Sequence, residues 1–150
     1  MASLSRRTRV LAVQALVATV VIVAPAVAKE PIGEYRENVM ESIGGHTGAL
    51  AKIIGGKVPF TEDAKAHVLG LEALSKMVQH IFPAGSGDDT DALPAIWEKP
   101  AQFEKARTNF EAAVAELVKQ AGGTPKEMAP PFEQLVKTCK NCHDDFRKKS

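Results

Sequence analysis

The sequence predicts an all-α protein, an antiparallel up-down-up-down four-helix bundle. Four segments carry apolar residues at steps of three and four, the period of an amphipathic helix. No segment after residue 28 alternates between apolar and polar residues for long, as a strand would. Two of the three connections between the helical segments are short, which favours antiparallel neighbours.

The first two helices are predicted from their ends. The first covers about Pro31–Ile54, because proline suits the first turn of a helix and the pair Gly55-Gly56 ends it. The second begins at Thr61, a favourable N-cap residue, and continues to about residue 81, where Pro83 ends it.

The third and fourth helices are predicted over about residues 101–121 and 130–148. Gly122-Gly123 closes the third, and Pro130 suits the first turn of the fourth. A long connection over residues 84–100 separates the second helix from the third. It is rich in Gly, Asp and Pro and contains Trp97, which we expect to pack the connection onto the bundle.

Residues 1–28 are predicted to be a secretory signal peptide. Arg6, Arg7 and Arg9 form a basic region, which an apolar run over residues 10–23 and small residues up to Ala28 follow. The run is shorter than the ~20 residues that span a membrane, which favours cleavage after Ala28 over a retained anchor. We therefore expect an exported domain over residues 29–150 with no stable membrane span.

The charge of this domain argues against one class of partner. Residues 29–150 carry 16 basic and 18 acidic side chains, a formal charge of −2. Nucleic-acid-binding domains are usually basic, so we expect no nucleic-acid partner.

The motif that carries chemistry is Cys139-Lys140-Asn141-Cys142-His143, the attachment pattern of c-type haem. Positions i, i+3 and i+4 share one face of a helix, so both thiols and the imidazole point into one groove. Two thiols can then bond to the two vinyl groups of one haem, while His143 binds its iron. The motif predicts one covalently attached haem c per chain.

Three alternatives explain the motif less well. A Cys-x-x-Cys redox pair normally lies in a βαβ context, and the sequence predicts no strands. A structural zinc site needs four ligands, and no second cluster of Cys or His occurs. A disulfide across one helical turn would constrain little and would leave His143 without a role.

The chain resembles the class II cytochromes c, which include cytochrome c′ and its low-spin relatives. The resemblance covers residues 29–150 and lies in the haem motif near the C-terminus, in Tyr35-Arg36 with Met40 four residues on, and in Pro94-Ala95-Ile96-Trp97. It implies a four-helix bundle, a periplasmic location, and Met40 as the residue on the other side of the iron from His143.

Helix geometry supports the same position for Met40. The end of the fourth helix lies level with the start of the first, and the axial offset between His143 and Met40 is about 6 Å at a rise of ~1.5 Å per residue. Met77 is the second candidate by this geometry. Met128 belongs at the opposite end of the bundle, and His46 lies off the Met40 face. Whether Met40 binds the iron or only fills space stays open.

Two arginines are expected at the edge of the haem. Arg36 lies one turn before Met40, and Arg147 lies four residues after His143, so each shares a helix face with its neighbour. Guanidinium groups bind carboxylates well, and haem carries two propionates. Gly44, with Gly45 and Gly48 nearby, permits either a kink in the first helix or the close approach of another helix or a second subunit, as in a homodimer.

The leading hypothesis is a periplasmic one-electron carrier with His143 and Met40 as axial ligands of the iron. Redox partner proteins would then meet the exposed haem edge beside Lys140, Lys148 and Lys149. The alternative is a five-coordinate, high-spin cytochrome c′ that binds nitric oxide or another small gas. We expect no enzymatic activity, because the sequence offers no acid–base or nucleophile constellation beside the haem motif.

Overall fold

The chain forms a helical bundle in a computed structural model that describes residues 31–88 and 90–149. Its helices are α1 (Pro31–Ile54), α2 (Ala64–Ser75), α3 (Ala95–Glu98), α4 (Pro100–Val118) and α5 (Pro125–Phe146), with a 3₁₀ turn at Thr61–Asp63. The predicted signal peptide lies outside the described residues. Within residues 31–88 and 90–149, no helix is long and apolar enough to cross a membrane.

The four long helices pack as a closed ring of neighbours. α1 lies against α2 and α5, and α4 completes the ring by packing against both α2 and α5. The described residues contain no strand, only one isolated β-bridge. The predicted all-α four-helix bundle is therefore confirmed.

One end of the bundle is filled with large aliphatic side chains. The fully buried residues there come from all four long helices and include Leu50, Val68, Leu71, Leu117, Met128 and Leu135. We call this region the closed end. It includes the start of α5 and the end of α1, so the haem motif, near the end of α5, lies at the other end.

The second helix is shorter than predicted. Its α-helical part ends at Ser75 and not near residue 81. The Ser75 hydroxyl donates to the carbonyl of Glu72 at 2.9 Å. Beyond it the backbone bonds span three residues instead of four, as from the Met77 N–H to the Leu74 carbonyl at 3.0 Å. The chain thus continues in tight turns up to the long connection.

Two helix starts also differ from the prediction. Thr61 lies within the 3₁₀ turn, and Asp63 takes the cap position of α2 without a side-chain hydrogen bond. α5 begins five residues before Pro130. It does so because Thr124 and Glu127 form a capping box, in which each side chain binds the other residue's backbone N–H.

The long connection is tied to the bundle at both of its ends. The Trp97 indole N–H donates to the carbonyls of Phe82 and Pro83, at 3.2 and 3.0 Å. α5 ends at Phe146, earlier than predicted, and Arg147 takes an extended conformation paired with Ala92 in the antiparallel bridge. The connection therefore covers the end of the bundle that carries the haem motif.

Candidate haem-binding site

The three chemical groups of the haem motif lie on one face of α5. Cys139, Cys142 and His143 are each partly buried, and all three line a single cavity. The spacing of three and four residues brings them to one side of the last two turns, as predicted.

Burial sets the protonation of these groups. It raises the pKa of the Cys139 thiol, and it raises the pKa of Cys142 to about 11, with further contributions from Cys139 and Asp145. Burial also lowers the pKa of His143, as does the charge of Arg147. Both thiols and the imidazole are therefore uncharged at neutral pH, and neutral imidazole is the form that binds a metal.

The cavity has a volume of about 740 Å³ and is bounded by α1, α4, α5 and the long connection. Pockets for cofactors are typically ~300–1,000 Å³ and mostly apolar, and this one fits that description. Its donor set, two thiols and one imidazole on one wall, matches the attachment chemistry of haem c. The residues present therefore fit the group that the sequence predicts.

Another wall of the cavity belongs to α1, where small residues alternate with larger ones such as Arg36 and Ile43. Met40, Gly44, Thr47 and Gly48 line it, and a Cβ atom added at Gly44 or Gly48 would meet nothing within 4 Å. The Thr47 hydroxyl donates to the Ile43 carbonyl at 2.8 Å, so it is already engaged within the helix. Gly44 and Gly48 therefore add no side chain to this wall.

The role of these glycines could be predicted only in part. α1 runs without interruption from Pro31 to Ile54, so the helix does not break at Gly44, Gly45 or Gly48, and the close approach of another helix or a second subunit stays a prediction. The signal for their place is their spacing from Met40. Gly44 and Gly48 follow it by four and eight residues, share its helix face and line the cavity, whereas Gly45 does not line it.

Three aromatic rings form a contiguous wall beside the motif. The rings of Phe82 and Phe103 meet edge to face with centroids 4.9 Å apart, and those of Phe103 and Phe146 meet at 5.3 Å. Phe110 lines the cavity further along α4. Edge-to-face pairs stabilise one another beyond the area they bury, so this wall is a firm apolar surface.

Arg36 is a cavity residue that also holds the long connection. Only 4 % of it is exposed. Its guanidinium donates to the Ser86 hydroxyl at 3.3 Å and to the Ser86 carbonyl, and it lies 4.8 Å from the centroid of the Phe82 ring. The predicted haem-edge cation is thus at the cavity, and it fixes the segment that covers it.

The C-terminal residues form the rim on the other side. Arg147 lines the cavity and is exposed. The Leu93 N–H donates to the Phe146 carbonyl at 3.0 Å, and the Lys148 N–H donates to the Asp91 carbonyl at 2.8 Å. These bonds join the haem-bearing helix to the long connection.

The predicted lysine surface is partly engaged within the chain. The Lys140 ammonium forms an ion pair with Asp144 on the next turn of α5. The Lys148 ammonium donates to the Thr90 carbonyl at 2.6 Å. Lys149 is exposed.

The other candidate ligands lie elsewhere. Among the described residues that line the cavity, Met40 is the only methionine and His143 the only histidine. The Met77 sulfur instead lies 4.0 Å from the Tyr35 hydroxyl. Met128 is fully buried at the start of α5, at the closed end as expected. His46 contacts His67 on α2.

Sequence reasoning missed Arg107 as a cavity residue. Its side chain is 12 % exposed and forms ion pairs with Glu104 and Glu111, one turn away on either side. The hydrogen bond that Arg107 donates to the Glu104 carboxylate raises the pKa of Arg107. The alternation of acid and base at helical spacing was the available signal, but it is equally typical of a solvated helix face.

A four-helix bundle whose last helix presents two thiols and an imidazole to one apolar cavity is the arrangement of a c-type cytochrome built on a helical bundle. Residues 32–147 match the family model described as Cytochrome C'. The chain belongs to the cytochrome c′ family, and it binds one covalent haem c. The predicted resemblance is thereby confirmed.

Relatives and solved structures agree with this assignment. Cytochrome c' of Cereibacter sphaeroides is 35% identical over 144 residues, which cover 89% of this chain and 97% of that protein. Cytochrome c-556 of Agrobacterium fabrum is 36% identical over 121 residues, 77% of this chain and 80% of that protein. A nitric oxide complex of a cytochrome c prime variant from Alcaligenes xylosoxidans has a TM-score of 0.74 and 28% identity, and covers 79% of this chain and 94% of that chain.

Proposed function

We propose that this protein binds a small gas such as nitric oxide at a five-coordinate haem iron, with His143 as the one protein ligand. The observations that carry this proposal are the match to the cytochrome c′ family and the two glycines, Gly44 and Gly48, on the α1 wall of the haem cavity. The hydroxyl of Thr47 on the same wall is bound to its own helix. The solved nitric oxide complexes of cytochrome c prime from Alcaligenes xylosoxidans support the same function.

The residues of the chain have distinct parts in this proposal. Cys139 and Cys142 hold the haem through thioether bonds, and the bound haem supplies an iron that can take up a small ligand. His143 approaches from α5 as a neutral imidazole, since burial lowers its pKa. Arg36 and Arg147 pair with the propionates at the rim, since both line the cavity and guanidinium suits carboxylates.

The aromatic wall and the long connection serve to exclude water. Phe82, Phe103 and Phe146 cover the side of the cavity nearest the motif, and the connection is bonded to α5 across the rim. A low-polarity site favours an uncharged diatomic ligand over ions, because an ion would lose its hydration on entry.

A second function remains a candidate because Met40 lines the same cavity as His143. If the Met40 sulfur binds the iron, the haem is six-coordinate and suited to one-electron transfer, since methionine ligation raises the reduction potential. Redox partner proteins would then dock at the rim. Both functions are those of binding or carrier proteins, and we propose no enzymatic reaction.

The visible spectrum of the purified haem protein separates the two functions. We expect a broad high-spin spectrum, oxidised and reduced, that changes when nitric oxide or carbon monoxide is added to the reduced protein. The variant Met40→Ala should keep this spectrum. The matched control is Met77→Ala, because Met77 lies off the cavity. Sharp low-spin bands that do not respond to gas, and that Met40→Ala abolishes, would favour the electron carrier.

We further propose that the protein acts in the periplasm after cleavage behind Ala28. The basic and apolar pattern of residues 1–28 supports export. Mass spectrometry of the protein from a periplasmic extract should give the mass of residues 29–150 plus one haem. Retention of residues 1–28 in a membrane fraction would contradict cleavage.

A further inference from the structure

The wall that α4 contributes to the haem cavity contains a cation as well as aromatic rings. Arg107 lines the cavity together with Phe103 and Phe110. Phe103 lies four residues before Arg107 and Phe110 three residues after it, and these spacings put the three side chains on one face of the helix. A guanidinium group therefore lies between two aromatic residues on an apolar surface.

Two glutamates hold the guanidinium group at this wall. Its Nε atom donates to the Glu104 carboxylate at 2.9 Å, and its two terminal nitrogens donate to the carboxylates of Glu104 and Glu111. Glu104 lies one turn before Arg107 and Glu111 one turn after it. The hydrogen bond to Glu104 raises the pKa of Arg107, so the cation keeps its charge at this partly apolar position.

The three charges of this cluster differ in their contact with water. The side chain of Arg107 is 12 % exposed, that of Glu111 is 32 % exposed and that of Glu104 is 58 % exposed. Water screens exposed charges strongly and buried charges much less. One positive and two negative side chains give the cluster a formal charge of −1, yet the cation is the least screened of the three. From inside the cavity the cluster therefore acts as a positive charge.

We propose that Arg107 raises the reduction potential of the haem iron. Oxidised iron carries one more positive charge than reduced iron, so a nearby cation destabilises the oxidised state relative to the reduced one. Arg107 lines the cavity that the haem fills, so its charge acts across apolar protein, where burial makes charges effective in setting the potential. Glu104 and Glu111 oppose the cation, and Glu111 does so more strongly because it is less exposed. The effect requires only the haem, so it occurs whether or not Met40 binds the iron.

A redox titration of the haem-loaded protein at neutral pH, followed through its visible spectrum, tests this role of Arg107. We expect Arg107→Gln to lower the reduction potential and Arg107→Lys, which keeps the charge, to stay near the wild-type value. Glu111→Gln should raise the potential, and Glu104→Gln should raise it by less. The matched control is Lys105→Gln, which removes a positive charge from an exposed position of α4 that does not line the cavity. It should leave the potential unchanged.

Salt separates the buried charge from the exposed ones. The shift caused by Arg107→Gln should persist at high salt, whereas the shift caused by Glu104→Gln should shrink. A wild-type potential in Arg107→Gln would overturn the proposal. An equal fall in Arg107→Gln and Arg107→Lys would overturn it too, because packing and not charge would then set the potential. If Arg107→Gln loses haem or changes the spectrum, Glu111→Gln decides: a rise supports the proposal, and a fall or no change overturns it.

Discussion

The two ends of this bundle are built from the same four helices but differ in how those helices fill space. At the closed end each helix contributes large aliphatic side chains, and Leu50, Leu117 and Leu135 are fully buried there. At the cavity end α1 contributes Gly44 and Gly48 to the wall instead. The cavity thus lies where α1 places two glycines in the wall beside Met40 and Ile43.

The early end of α2 adds to this difference between the two ends. α2 ends at Ser75, and tight turns continue from there to the long connection. The connection covers the cavity end and is hydrogen-bonded to α5. The closed end therefore derives its stability from its own side chains, whereas the cavity end needs a cofactor to fill about 740 Å³. Haem acts there as the missing part of the core.

Removing the haem should have the largest effect on the stability of the cavity end. The double variant C139S/C142S cannot form thioether bonds, and we expect it to lose haem and its cooperative unfolding transition. An unfilled apolar cavity of this size exceeds what a stability of ~5–15 kcal/mol can tolerate. Haem staining after denaturing electrophoresis and circular dichroism melting measure the two losses.

The control for this variant is Leu135→Ala at the closed end. It should lower the free energy of unfolding by about 2–5 kcal/mol and keep covalent haem. If C139S/C142S instead melted at the wild-type temperature, haem would not be part of the core.

Two methionines give the next largest contrast. Met128 is fully buried at the closed end, and Met128→Ala should cost about 3 kcal/mol of unfolding free energy because it leaves a cavity. Met40 is only partly buried, so Met40→Ala removes less buried surface and should cost less than about 1.5 kcal/mol. Chemical denaturation of both haem-loaded variants measures the difference. Equal losses would mean that the cavity end is packed as tightly as the closed end.

Much of the fold could be predicted because it depends on local pattern. The period of the apolar residues and the position of Pro31 gave the bounds of α1, and those of α4 lie within three residues of the prediction. The end of α2 could not be predicted, since the change to three-residue backbone bonds after Ser75 has no apolar signature. The start of α5 was predicted too late, because Pro130 was taken as the first turn of the helix and the capping box of Thr124 and Glu127 was overlooked.

The residues of the site likewise fall into those that the sequence could predict and those that it could not. The haem motif could be predicted because its three groups lie within five residues of one helix, and Met40 and Arg36 because the family resemblance marked them. Arg107 and the pairing of His46 with His67 depend on which helices become neighbours. A single sequence contains that information only through the whole fold.

A smaller loss of stability is expected when the hydrogen bonds between α1 and the long connection are removed. Arg36→Ala removes the bonds to the hydroxyl and carbonyl of Ser86 and should cost about 2 kcal/mol, since bonds to charged groups contribute ~1.5–3 kcal/mol. Faster hydrogen exchange should appear at residues 84–93 and not at the closed end. Lys52→Ala, at an exposed position of α1, serves as the control, and equal exchange in both variants would contradict the anchoring role of Arg36.

The smallest expected effects concern the cap of α5 at the closed end. Thr124→Ala should lower the free energy of unfolding by about 1 kcal/mol, because it removes an N-cap side chain. The hydrogen bonds from the Thr124 backbone and side chain lower the pKa of Glu127 below its ordinary value of 4.5. The contribution of Glu127 is therefore complete above pH 4.5 and is lost as the pH falls through the lowered value.

Glu127→Gln should accordingly flatten the loss of stability below pH 4.5, compared with the wild type. Urea denaturation of the haem-loaded protein between neutral pH and the acid limit of folding measures this slope. Glu133→Gln, an exposed position on the same helix, should leave the slope unchanged. If both variants gave the wild-type slope, the Glu127 carboxylate would stabilise the cap no more than the amide that replaces it in Glu127→Gln. The loss of stability in acid would then have to arise at the cavity end.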